Sequence, residues 1–214
     1  MLQNAEPGAL FALPDPVLAA SRWSDNAALV ADCARLGYLR KDWRTLDPTY
    51  GRGNWWTRWQ PDELVAHDKF TLDGVDFTAL PEPNDAFDAA TYDPPYVCVG
   101  GRKTSGIEEM YYSYGLLEAP TTPAALQQLI NAGLSEMYRV VRPEGIVLCK
   151  CQDYISSGKL WPGTHFTLVH ALSLGFLLID RLEHVGDARP QPGGRRQVHA
   201  RRNLSTLFVL KVVG

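Results

Sequence analysis

The chain has 214 residues, 45% of them hydrophobic and 21% charged, with a formal net charge of −3. That length and composition fit one soluble α/β domain spanning residues 1–214, and they exclude a disordered or fibrous class. The negative balance argues against a protein that coats nucleic acid non-specifically.

The longest apolar stretch, 166–179, contains His170 and is too short to span a bilayer, so no membrane contact is expected. The N-terminus shows no basic segment followed by an apolar one, and the expected location is the cytoplasm. Cys33, Cys98, Cys149 and Cys151 stand at no zinc spacing and read as core thiols. No metal is expected.

Residues 1–20 lack a period and read as an irregular arm. From Ser24 to Leu36 a helix is predicted, with Ser24 or Asp25 as its cap. Leu29, Val30, Cys33 and Leu36 form its apolar stripe, and Gly37 stops it. A short strand should end at Leu46 and pass into Asp47, Pro48, Thr49, Tyr50, Gly51 and Gly53. The two glycines there permit positive φ and close approach of backbone to a ligand. A dinucleotide fingerprint needs a third glycine for helix–strand packing. Trp56 stands in that place, which disfavours a pyrophosphate loop. Trp55, Trp56 and Trp59 read mainly as packing residues.

The segment "ELVAHD" reads as a second strand ending in Asp68. An acidic residue there, about 20 positions after Asp47, is placed to accept from ribose hydroxyls. "GVDFTAL" brings Asp76 and Phe77. The next apolar run leads into Tyr92-Asp93-Pro94-Pro95-Tyr96. Consecutive prolines fix φ and remove donors, leaving Asp93 and nearby carbonyls as acceptors beside the flat face of Tyr96. Acceptors next to a stacking ring suit a planar ring carrying an exocyclic amine.

Further on, Gly100 and Gly101 open a loop with Arg102 and Lys103. Thr122-Pro123 starts a long helix, and "GIVLCKC" reads as a buried parallel strand. A helix from about 164 to 174, the strand "FLLID" and the final strand "LSTLFVLKV" complete a strand–helix alternation typical of a covered parallel sheet. Between the last two strands, 186–203 concentrates Arg195, Arg196, Arg201 and Arg202. They form a basic patch suited to phosphate, although such composition commonly marks a solvated loop.

In order and spacing, D-P-x-x-G-x-G at Asp47 to Gly53, then Asp68, Asp76 and the DPPY at Asp93 to Tyr96, the chain resembles the amino-methyltransferases of DNA that use S-adenosylmethionine (SAM). The resemblance implies a class I, Rossmann-like fold: a mostly parallel seven-stranded sheet with an antiparallel last strand and helices on both faces. It implies SAM held by Asp47, Pro48, Thr49, Tyr50, Gly51, Gly53, Asp68, Asp76 and Phe77. Asp93, Pro94, Pro95 and Tyr96 would engage the target amine, N6 of adenine ahead of N4 of cytosine. Arg102, Lys103 and the four hairpin arginines would meet DNA, as a duplex with a flipped base or as a single strand. Short loops imply relaxed specificity or a specificity partner. RNA bases and protein glutamine are alternative acceptors, and a non-catalytic SAM- or nucleic-acid-binding module is the alternative of another class.

Overall fold

The computed structural model describes residues 18, 19, 23, 25–95, 120–186, 196–200 and 202–214. Helix α1 (Asn26–Arg35) begins where the Asp25 carboxylate accepts from the Ala28 N–H at 2.8 Å. Of the two predicted caps, Ser24 lies outside the described residues. Leu29, Val30 and Cys33 are buried as the stripe requires. Leu36, expected as its last member, is instead the C-cap residue and 43% exposed. Gly37 reverses the chain there at φ 83, turning that last side chain outward.

In chain order there follow β1 (Arg44–Asp47), a 3₁₀ turn (Asn54–Trp56), β2 (Glu63–Ala66), β3 (Phe87–Tyr92), α2 (Pro123–Val140) and β4 (Val141–Cys151). Then come β5 (Tyr154–Ser156), β6 (Lys159–Trp161), α3 (Gly163–Leu174), β7 (Phe176–Val185) and β8 (Leu204–Val212). The main sheet runs β2-β1-β3-β4-β8-β7. The first four strands are parallel, β8 is antiparallel to β4, and β7 is antiparallel to β8. The expected closing hairpin is therefore present.

Among the described residues the main sheet has six strands, not the expected seven. The missing one would follow Asp68. There Asp73 accepts from the Val75 N–H at 3.3 Å and Asp76 from the Thr78 N–H at 3.0 Å, so short acidic side chains take the donors that a ladder would use. Pro81 and Pro83 then exclude a continuous strand. The strand predicted to reach Asp68 stops at Ala66. A second, two-stranded sheet of β5 and β6 has no counterpart in the predicted elements.

Helices cover both faces. Leu29, Val30 and Cys33 of α1 pack with Ala89, Ile146, Leu148, Leu207 and Val209 on one side. Leu126, Ile130, Leu134 and Met137 of α2 and Ala171 of α3 pack with Ala90, Tyr92, Val147, Cys149, Phe208 and Leu210 on the other. The alternation along β4 and β8 is the period-2 pattern of a sheet buried on both faces. No helix among the described residues is long and apolar enough to cross a membrane.

Two consequences bear on the site. The C-terminal ends of β1, β3 and β4 share one edge of the sheet, and the pairing Val185↔Leu204 brings the β7–β8 tip to that edge, beside the Cys151↔Thr206 pair. The end of β3 is also clamped from beneath. The buried Tyr92 hydroxyl donates to the Ile130 carbonyl at 3.1 Å, and its ring meets Phe77 edge-on at 5.5 Å. Gly133 of α2 lies directly against both rings. A Cβ there would fall on the Tyr92 hydroxyl and 2.6 Å from the Phe77 ring.

Gly133→Ala should therefore destabilise, although alanine is the better helix former by about 1 kcal/mol. Overpacking costs about 1–3 kcal/mol, and urea denaturation should show a net loss that Tyr92→Phe partly relieves. A Gly133→Ala protein more stable than wild type would refute the close approach.

Candidate active site

The loop after β1 is built by its own acidic and glycine residues. Asp47 is buried, 3% exposed. One carboxylate oxygen accepts from the Trp56 indole N–H at 2.7 Å, and the other from the Thr49 N–H at 3.1 Å and the Thr49 hydroxyl at 3.3 Å. Gly51 and Gly53 take φ 55 and 72, the left-handed conformation predicted for them. Gly53 leaves room for the loop's own Tyr50, whose hydroxyl a Cβ would meet at 2.5 Å, while Gly51 faces more open space. Pro48 is buried, and Thr49 and Tyr50 are half-buried.

Asp68 ties this loop to the next. Its carboxylate accepts from the Gly51 N–H at 2.9 Å, and from the N–H groups of Phe70 and Thr71 at 2.9 and 2.8 Å. The Thr71 hydroxyl returns a bond to the Gly51 carbonyl at 2.8 Å. Asp76 carries an ion pair with Lys69 at 2.9 Å. Burial pushes its carboxyl up, but the Thr78 and Lys69 hydrogen bonds outweigh this and hold it below the usual carboxylate range. Phe77 is half-buried against Tyr92.

The predicted halves meet at Asp93. Its backbone N–H donates to the Thr49 hydroxyl at 3.0 Å, so one side chain joins Asp47 to the end of β3. Its Oδ2 accepts from the Trp55 indole at 3.1 Å. Its Oδ1 is buried with no hydrogen-bond partner among the described residues. A buried acceptor left open is costly and marks a place where a donor is expected. Pro94 is buried and Pro95 half-buried beside it. Burial raises the Asp93 carboxyl above the usual range, against the pull of Lys150 and Trp55. Burial pushes Asp47 up to about 7, and the Asp93 charge adds to this.

Composition and motif spacing did not point to four residues in these networks. Trp55 and Trp56, read as packing residues, are the indole donors of the two carboxylates. Lys150, only 3% exposed, donates to Asn26 Oδ1 at 2.7 Å. His67 lies between Asp73 at 2.5 Å and Glu82 at 2.6 Å. A single lysine inside the apolar run "GIVLCKC" was the available signal for Lys150, since unpaired charges are rarely buried. Among the described residues no group of histidine, cysteine and acidic side chains could hold a metal ion.

Arg196 and Arg202 lie at the β7–β8 tip. The neighbouring His199 contacts the Gly158 carbonyl at 2.8 Å, seating the tip against the β5–β6 turn. Tyr96, Arg102, Lys103, Arg195 and Arg201 lie outside the described residues.

The sequence matches no protein-family model and no curated protein. Solved structures do resemble it. BH2331 of Bacillus halodurans C-125, provisionally named a methyltransferase, is 14% identical with a TM-score of 0.51, over 86% of this chain and 99% of that one. The [4+2]-cyclase SpnF is 17% identical with a TM-score of 0.51, over 88% and 81%. TTHA0409 of Thermus thermophilus, provisionally named a DNA modification methylase and solved with S-adenosyl-L-methionine, is 16% identical with a TM-score of 0.45, over 65% of this chain and 54% of that one. The chain thus spans about half the length of that methylase structure. The likeness to BH2331 and SpnF shows the fold alone, a Rossmann-like α/β sheet covered by helices. A cyclase on the same fold means that activity must be argued from the site.

An acid whose pKa is raised on folding binds protons more tightly in the native chain than in the unfolded one. Stability then falls as pH rises from the unfolded value to the folded one. For Asp47 that window runs from the ordinary value of 3.8 to about 7. His67 acts in the same sense: its two carboxylate partners outweigh burial and raise it, so its contribution is also lost as pH rises. Chemical denaturation should therefore show declining stability toward neutral pH, and Asp47→Asn should flatten part of that decline while leaving a residual one from Asp93 and His67, both also raised. An equally steep decline in Asp47→Asn would refute the buried acid.

Proposed function

We propose that this protein is an enzyme that transfers methyl groups from SAM to an exocyclic amine of a nucleobase in DNA, N6 of adenine first among them. The observation that carries the proposal is the open Asp93 Oδ1, a buried acceptor at the end of β3 followed by two prolines. The donor set fits the cofactor: two left-handed glycines after β1 and an acidic residue beyond the end of β2, bonded to Gly51, form a cradle of backbone and carboxylate groups. Asp47, Pro48, Thr49, Tyr50, Gly51 and Gly53 would hold its methionine end, Asp68 its ribose, and Asp76 with Phe77 its adenine. When bound, SAM supplies an electrophilic methyl group on a sulfonium.

The chain's own residues must make a poor nucleophile competent. The lone pair of an exocyclic amine is delocalised into the ring. Asp93 Oδ1 and the Pro94 carbonyl accept its two N–H bonds, drawing the nitrogen toward tetrahedral geometry and freeing the lone pair. Trp55 holds Oδ2, so the carboxylate cannot turn away from the amine. Tyr96 stacks on the base and offsets part of the few kcal/mol needed to unstack it from a duplex. Arg196 and Arg202, on the same sheet edge, are suited to flanking phosphates, with Arg102, Lys103, Arg195 and Arg201 in the same role.

Purified protein should move labelled methyl from SAM to DNA, with RNA and protein acceptors assayed beside it. Asp93→Ala should lose at least on the order of 10²-fold in rate, the scale for removing one preorganised hydrogen-bonding group. Tyr96→Ala should weaken productive binding by about 1–3 kcal/mol. Wild-type rates in Asp93→Ala would end the proposal, and transfer to RNA or protein alone would move it to that acceptor. In a separate measurement, Arg196→Ala with Arg202→Ala should lower DNA affinity and reduce the salt slope by roughly 1 for each phosphate no longer neutralised. An unchanged slope would return the tip to a solvated loop.

A further inference from the structure

Lys150 is a cation in a place that ordinary packing does not explain. It lies on β4, one residue beyond Cys149, whose ladder partner Tyr92 ends β3 and is followed directly by Asp93. Its neighbours Cys149 and Cys151 are buried in the core on the opposite face of the sheet. At 3% exposure it has little water. Its Nζ donates to Asn26 Oδ1 at 2.7 Å and lies 5.8 Å from the centre of the Trp55 ring. That ring is the one whose N–H holds Asp93 Oδ2. The first turn of α1 and β4 therefore meet at Lys150 beside the Trp55 ring, and the N–H of that ring reaches the Asp93 carboxylate.

We propose that Lys150 is a positioning residue for the transfer: held by Asn26 and the Trp55 ring, its ammonium is the counter-charge that fixes Asp93 as a hydrogen-bond acceptor. Trp55 takes one carboxylate oxygen and the other is left for the acceptor amine. This rests on the methyl-transfer reading of the same site.

The chemistry demands such a group. A protonated Asp93 would present a hydroxyl in place of one acceptor oxygen and could not accept from the amine through it. Its burial favours that protonated form, and the Asp93 charge in turn raises the neighbouring Asp47. The two aspartates are met by the Trp55 and Trp56 indoles and the Thr49 hydroxyl, Lys150 is met by Asn26 of α1 and acts on His184 of β7, and Cys149 of β4 senses the Asp93 charge from the other face of the sheet. The Cys149 thiol is pushed up by burial and then by the Asp93 charge, and so stays neutral. His184 is held below its usual range by burial and then by the Lys150 charge, so it adds no second cation near neutrality. Lys150 is the positive charge that opposes protonation of Asp93.

The test joins a pH–rate profile to a direct titration. In Lys150→Met the acid limb of the methyl-transfer profile should move to higher pH. The rate below the wild-type midpoint should drop on the order of tenfold per unit of displacement and recover as pH rises, because each unit changes the ionised fraction tenfold. Lys150→Arg should restore the wild-type limb. The Asp93 carboxyl midpoint, followed by carbon NMR and assigned with Asp93→Asn, should rise in Lys150→Met without any acceptor present. Should Lys150→Met not fold, the Nζ nitrogen resonance of wild-type Lys150 should show a step at the Asp93 midpoint that disappears in Asp93→Asn. An unmoved acid limb with an unmoved Asp93 midpoint, or no step at Nζ, overturns the role of Lys150 while methyl transfer stands. A wild-type protein that methylates no acceptor overturns the reading beneath it.

Discussion

Two carboxylates, Asp47 at the end of β1 and Asp93 just beyond the neighbouring parallel strand β3, are brought together through the Thr49 hydroxyl, and much of the site follows from accommodating them. Charges taken from water cost several kcal/mol each unless hydrogen bonds and opposite charge replace the solvent. Here the replacement is specific. Trp56 and Thr49 serve Asp47, Trp55 serves Asp93, and the Thr49 hydroxyl donates to the first carboxylate while accepting from the backbone of the second. Pro61 lies only five residues beyond the second of these tryptophans, and the segment between is a tight aromatic turn rather than a long helix. Its indoles supply fixed N–H donors that a run of aliphatic side chains could not.

The loops outside this pocket are organised by the same economy of acidic side chains. Asp68 binds the glycine loop through Gly51, Asp73 and Glu82 grip His67, and Asp76 holds Thr78 and Lys69. Arg139 of α2 then fastens the approach to β3 through the carbonyls of Leu80 and Glu82. Each carboxylate that closes a local turn also withdraws backbone donors from strand pairing. That is why the polypeptide passes from β2 to β3 without the extra edge strand. A shorter sheet and a more tightly held loop are one outcome of the same residues.

Much of the fold was legible along the chain. Asp25 as a cap, Gly37 as a stop, Thr122 before Pro123 and the apolar run ending in Cys151 all act locally, and local signals survive in the sequence. So did the glycines after β1, since positive φ at Gly51 and Gly53 is a requirement of the turn itself. Legibility failed where partners are distant. Tryptophans at 55 and 56 read as packing because nothing nearby discloses that their N–H groups point at residues 47 and 93. His67 has Asp68 beside it and Glu63 four residues before it, yet its partners are Asp73 and Glu82, the latter reaching it from 15 residues away. The β5–β6 hairpin was missed because three-residue strands carry too little alternation to register.

The sequence by itself determined the alternation of strands and helices, the left-handed loop after β1 and the rigid Asp93-Pro94-Pro95 corner. Those depend on φ preferences, capping and hydrophobic period, which operate over a few residues. Only the tertiary structure decided that one oxygen of Asp93 is bonded by Trp55 and the other has no partner among the described residues, and that Lys150 lies against the same Trp55 ring. Those facts depend on strand register: Tyr92 pairs with Cys149 on the face covered by α2 and α3, so Lys150, the next residue of β4, emerges on the other face, where Asn26 of α1 meets it. Register is settled when a whole sheet buries both faces at once, and no window of the chain contains that information.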